Sequence, residues 1–183
     1  HGAKIMALNV FGSASSSYTS NSANAIRYAV DNGASIINLS LGGVGKSAAY
    51  ESALDYAMKN GVTILAAAGN ERNQLGVNYW LSPAAYGSSF NGVISVGSVN
   101  SSDFSWAAYS NYSATNVELA APGSESYSTG RGVLSTDLKN TYSRGHGTSY
   151  AAPVAAGSAA LAASMVRARG YAPNGPTIEK VLT

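Results

Sequence analysis

The sequence has no cysteine, which removes disulfides, thiolate metal sites and a cysteine nucleophile together and leaves the redox compartment open. Charge is also scarce. Asp, Glu, Lys and Arg make up 11% of the 183 residues against 45% apolar, and Ser, Asn, Thr and Tyr carry much of the polarity. That balance suits a compact secreted enzyme. The formal net charge is +2 with no Lys/Arg cluster on any segment, so the electrostatic footprint of a nucleic-acid or anionic-membrane binder is missing. No stretch approaches the roughly 18 consecutive apolar residues of a membrane span, and no basic region precedes an apolar run at the N-terminus. The chain instead runs from His1-Gly2-Ala3-Lys4 directly into Ile5-Met6-Ala7-Leu8, which reads as a start inside a domain. There is no Gly-x-Gly-x-x-Gly after the first apolar run and no P-loop lysine, which argues against a doubly wound nucleotide-binding domain. Histidine is limited to His1 and His146.

What is present is a set of short apolar runs, residues 5–11, 35–41, 62–68, 93–99 and 117–121, bounded by Gly, Asn or Pro. They are near-continuous rather than alternating, the pattern of strands buried on both faces of a parallel sheet. Helical spacing lies between them. Ala25, Ile26, Ala29 and Val30 form one stripe within residues 22–32, closed by Gly33. Residues 48–60 place Ala49, Ala53, Leu54, Ala57 and Met58 on one face, with Ser47 as N-cap and Gly61 beyond the end. Alternating strands and helices predict right-handed βαβ units, hence an α/β fold of three layers, α/β/α, about a mainly parallel sheet. A hairpin is expected around 133–136 and 141–144. An Ala-rich helix over 149–169, almost uncharged until Arg167 and Arg169, is expected to be buried nearly all round.

Three motifs carry chemistry. Gly147-Thr148-Ser149-Tyr150-Ala151-Ala152-Pro153, followed by Ala156-Gly157, places a serine at a helix N-terminus, beside unpaired backbone N–H groups and the positive end of the helix dipole. Developing negative charge is favoured there. The plain alternative is an N-cap serine. Ile36-Ile37-Asn38-Leu39-Ser40-Leu41-Gly42-Gly43 and Ala66-Ala67-Ala68-Gly69-Asn70-Glu71 each end a buried strand at the sheet edge where α/β enzymes place their sites.

In this order and spacing, the three motifs resemble those of the subtilase family of subtilisin-like serine endopeptidases, and the similarity extends over nearly the whole chain. The resemblance implies Ser149 as nucleophile and Asn70 as a side-chain donor to the oxyanion. It implies substrate-pocket walls built by Ser40, Leu41 and Gly42 on one side and Ala67, Ala68 and Gly69 on the other, with Glu71 at the rim. Ser15, Ser16 and Ser17 would fall in the loop that receives extended substrate as an added strand. Leu81 stands near a position where a glycine often leaves the pocket floor open.

The same resemblance places the family's catalytic Asp and His upstream of these residues. The chain is therefore expected to be the C-terminal portion, residues 1–183, of a single catalytic domain, incomplete at its N-terminal side. The missing N-terminal segment would be a partner, and the fragment alone inactive. His146 stands where the family commonly has Asn or Ser and is the one substitute base the chain offers. No cofactor is required for the chemistry. Structural calcium is common in the family, yet no Asp/Glu-rich loop specifies its ligands. Expected substrates are polypeptides; the alternative is a non-catalytic homologue that binds extended peptides.

Overall fold

A computed structural model describes residues 2–76, 79–124 and 132–183; His1 lies outside them. Four parallel strands form the central sheet, β1 (Ile36–Leu39), β3 (Thr63–Ala67), β5 (Val93–Val99) and β6 (Leu119–Pro122), in the order β1-β3-β5-β6. The two-residue strands β2 (Gly43–Val44) and β4 (Leu81–Ser82) pair antiparallel just beyond the end of β1. A second antiparallel pair, β7 (Val133–Asp137) and β8 (Thr141–Gly145), forms the expected hairpin.

Residues 63–67 are buried throughout because the two pleat faces meet two different helix layers. Ile64 and Ala66 pack with α1 (Thr19–Asp31) and α2 (Ala48–Lys59). Leu65 and Ala67 pack instead with α3 (Thr148–Ala168) and α4 (Gly175–Leu182). This is the three-layer α/β/α arrangement. Helix α2 begins as expected, with Ser47 Oγ accepting the Tyr50 N–H. Helix α1 starts three residues before the expected position, and its first turn has no side-chain cap.

Two expectations fail. Residues 5–11 form no strand; Ile5 is 93% exposed and Phe11 39%. A strand requires a hydrogen-bonded neighbour, and no described residue pairs with this segment. Helix α3 is buried on one side only. Ala151, Ala152, Ala155, Ala159, Ala162, Ala163 and Val166 face the sheet, whereas Val154, Leu161 and Met165 are exposed. The sheet covers one face of this helix, and no further described layer covers the other. Among the described residues α3 alone is long and apolar enough to cross a bilayer, but its alanine face is occupied by the sheet.

Candidate active site

The carboxyl ends of β1 and β3 lead into Ser40 and Asn70, and the N-terminus of α3 carries Ser149 to the same edge of the sheet. Gly147 enters α3 at φ +127°, a backbone region that disfavours side chains. A Cβ there would also lie 3.3 Å from Asn70 Nδ2.

The order of the site begins with Thr148, which is fully buried. Its backbone N–H donates to Asn70 Oδ1 at 2.9 Å, and its hydroxyl donates to the same oxygen at 3.1 Å. The hydroxyl in turn accepts the Gly69 N–H at 3.1 Å. These bonds fix which end of the Asn70 amide is the acceptor. Nδ2 is left without a partner among the described residues and free to donate. The Ser149 N–H lies in the first helical turn, where backbone donors lack an intrahelical acceptor. Asn70 Nδ2 and the Ser149 N–H are thus two N–H donors carried by neighbouring elements.

Ser149 and Ser40 are joined reciprocally. Ser40 Oγ donates to the Ser149 carbonyl at 2.8 Å, and Ser149 Oγ donates to the Ser40 carbonyl at 3.2 Å. Among the described residues no histidine nitrogen or carboxylate is hydrogen-bonded to Ser149 Oγ. His146 lies instead with its ring 6.1 Å, edge to face, from that of Tyr109.

The segments 40–42 and 67–69 both lie beside Leu81. Ala67 and Ala68 are buried on β3 and just beyond it, while Gly42 is open to solvent beyond β1. Leu81 lies between them. An ideal Cβ at Gly42 would sit 3.3 Å from Leu81 Cδ2, and one at Gly69 2.7 Å from the same atom. Gly69 is further constrained by φ +100°, and a Cβ there would clash with Asn111 Nδ2. Glu71 Oε2 accepts from Asn111 Nδ2 at 2.7 Å, which turns part of the rim charge inward.

Ser15, Ser16 and Ser17 are not joined to this group. They precede α1, with Ser17 Oγ donating to the Val10 carbonyl at 2.5 Å and accepting from Asn21 Nδ2 at 3.0 Å. A cavity of about 900 Å³ lies there between residues 7–12 and α1. Among the described residues no three His, Cys, Asp or Glu side chains converge. Thr148 and Asn111 were not anticipated as site residues. Thr148 lies inside the nucleophile motif, but its bonds to a residue 78 positions away leave no local signal.

The sequence matches the model of the subtilase family over residues 1–175. Among curated proteins, it is 40% identical over 164 residues to the thermophilic serine proteinase of Bacillus sp. (strain AK1), covering 90% of this chain and 37% of that protein. It is 38% identical over 157 residues to subtilisin DY of Bacillus licheniformis, covering 86% and 53% respectively. Among solved structures, a protease of Pseudoalteromonas arctica superposes with a TM-score of 0.76 at 33% identity, covering 92% of this chain and 52% of that one. The chain thus spans about half the length, or less, of these relatives.

Proposed function

Because this chain belongs to the subtilase family, we propose that it carries the nucleophile and oxyanion machinery of a serine endopeptidase that hydrolyses polypeptides through an acyl-enzyme on Ser149. The observation that supports this most directly is the Asn70–Thr148 pairing. It orients an amide N–H outward beside the nucleophile before any substrate arrives, and preorganised donors of this kind stabilise the charge that develops on the carbonyl oxygen. Ser149 Oγ attacks the scissile carbonyl carbon, and its proton passes to a base. The carbonyl oxygen becomes anionic between Asn70 Nδ2 and the Ser149 N–H; collapse expels the amine, and water later releases the acyl group.

A neutral hydroxyl is a poor nucleophile without a base. The partner of Ser149 Oγ here is a carbonyl, so the base and its orienting carboxylate belong outside the described residues. The N-terminal segment implied by the resemblance is their proposed source. Ser40, Leu41 and Gly42 form one wall of the pocket for the side chain preceding the cleaved bond. Ala67, Ala68 and Gly69 form the other, Leu81 closes the floor, and Glu71 tints the rim negative. Largely backbone walls support broad specificity. Ser15, Ser16 and Ser17 are proposed to receive the extended substrate chain. The low charge fits a secreted enzyme.

The test is a fluorophosphonate probe applied to the full-length protein. Covalent labelling mapped to Ser149, and lost in Ser149→Ala, is expected. Peptide binding without labelling or turnover would replace this reading with that of a non-catalytic peptide-binding homologue.

A further inference from the structure

The segment beyond β5 reaches both halves of the site. Asn111 is fully buried, and its side chain is committed to a single turn. Nδ2 donates to the Ala68 carbonyl at 2.8 Å and to the Glu71 carboxylate at 2.7 Å. Oδ1 accepts the N–H groups of Glu71 at 3.2 Å and Asn73 at 2.7 Å. The Asn111 backbone N–H donates to the Gly69 carbonyl at 3.0 Å. A side-chain amide has two N–H donors and an oxygen with two lone pairs, so this one is saturated, and its bonds bracket Asn70 on both sides.

Two residues earlier, the Tyr109 hydroxyl accepts the Gly147 N–H at 3.1 Å and lies 2.9 Å from the carbonyl oxygens of Gly123 and Ser124. The Tyr109 carbonyl accepts the Arg72 N–H at 2.9 Å. Ser110, between them and also buried, accepts the Ser98 N–H at 2.9 Å and so ties the segment to β5.

We infer that Tyr109, Ser110 and Asn111 form a brace that sets the separation of Asn70 and Ser149, with Asn111 positioning the oxyanion donor and Tyr109 the nucleophile turn. This rests on the reading that Asn70 and Ser149 act together on one carbonyl. The last parallel-ladder bond before Asn70 is Ala68 N–H to the Val96 carbonyl at 3.0 Å. Beyond it the turn leaves the sheet, and its fixed shape comes from side chains. Asn111 supplies those bonds from a residue that the sheet itself holds. Removing the amide leaves the backbone of 68–73 with unpaired groups and room to shift. A misplacement of about 1 Å at a reacting group can cost about 100-fold in rate.

The experiment uses the full-length protein with Asn111→Ala and Tyr109→Phe, each alone, and Asn111→Ala also combined with Asn70→Ala. Chromogenic-peptide kinetics and thermal melts are measured for all. Each single variant should melt cooperatively and lose kcat by about 10-fold or more, with KM within about 3-fold, because the transition state alone depends on the spacing. In the Asn70→Ala background, Asn111→Ala should cost less than about 2-fold further, since it acts through a donor already removed. Wild-type kcat in either folded single variant, losses that simply multiply in the double variant, or failure of both single variants to fold would each overturn the brace. Unchanged kcat in Asn70→Ala alone would instead strike the oxyanion assignment, and the brace with it.

Discussion

Leu81→Ala in the full-length protein should widen the range of side chains accepted before the scissile bond. Leu81 is 7% exposed, and its Cδ2 lies against both walls of the slot at Gly42 and Gly69. The substitution removes three carbons from the floor. Each additional buried methylene-sized group is worth about 0.8 kcal/mol, so a substrate ring that fills the vacated space gains up to about 2.4 kcal/mol. That corresponds to a rise of about 50-fold in kcat/KM for Phe relative to Ala at this substrate position. Partial collapse of Leu41 and Trp80, which pack on the same core cluster, would reduce the gain to about 5-fold at the lower end. The cost in stability is that of a buried Leu→Ala change, about 2–5 kcal/mol, within reach of a domain stable by about 5–15 kcal/mol. The assay is a series of p-nitroanilide peptides differing only in that residue, read beside a thermal melt. A folded variant whose Phe-to-Ala ratio moves by less than about 2-fold would show that Leu81 does not close the pocket, since even a half-collapsed floor predicts more.

Other outcomes are equally specific. Asn70→Ala should lower kcat by about 100-fold or more while KM stays near wild type, a magnitude measured for this donor in subtilisin rather than derived from the present geometry; progress curves on a peptide substrate decide it. Burial, with a smaller contribution from Glu179, pushes the Glu118 carboxyl up from its ordinary 4.5 to about 7. The folded state therefore holds a proton that the unfolded chain releases, and stability should fall as pH rises from about 4.5 through 7. Discounted for partial solvent screening, Glu118→Gln should recover about 1 kcal/mol above pH 7, roughly 2–4 °C in Tm, and nothing near pH 4.5. Melts in EDTA at pH 5 and pH 8 should reveal that difference, and equal gains at both would refute it. Residues 1–183 expressed alone should leave a chromogenic peptide uncut, because Ser149 Oγ faces the Ser40 carbonyl rather than a base; Ser149-dependent turnover there would make His146 the next residue to mutate.

The central strands β3 and β5 were readable because they are buried on both faces and so keep near-continuous apolar runs; the expected 93–99 coincides with β5 (Val93–Val99). Residues 5–11 carry the same pattern yet form no strand, since pairing is a nonlocal condition that no run of side chains can encode. The one-sided burial of α3 was hidden for a related reason. Alanine suits a helix in contact on one face or on both, so its abundance cannot count the layers. Two-residue strands such as β2 and β4 have no periodicity to detect. Helix α4 did leave a local sign in Asn174 followed by Gly175-Pro176, and Asn174 Oδ1 does accept the Thr177 N–H at 3.0 Å. Ser149, Asn70 and the two proposed wall segments stand out as motifs, and the structure brings Ser149 to Ser40 and Thr148 to Asn70. Asn111 does not stand out, because a buried asparagine in a Ser/Asn/Tyr-rich stretch looks like any loop residue until its side-chain bonds are seen.

If Ser149 is the nucleophile as proposed, the bond from Ser40 Oγ to the Ser149 carbonyl couples fit to reactivity. A side chain too large for the slot would push the β1 wall outward, and Ser40 Oγ at the end of that wall donates to the Ser149 carbonyl at 2.8 Å. Spreading the wall then drags the attacking oxygen away from the carbon it must reach. On that reading a poorly fitting peptide would be penalised in acylation rate as well as in occupancy. Discrimination can thus exceed what a shallow slot with glycine and alanine sides would give through binding alone.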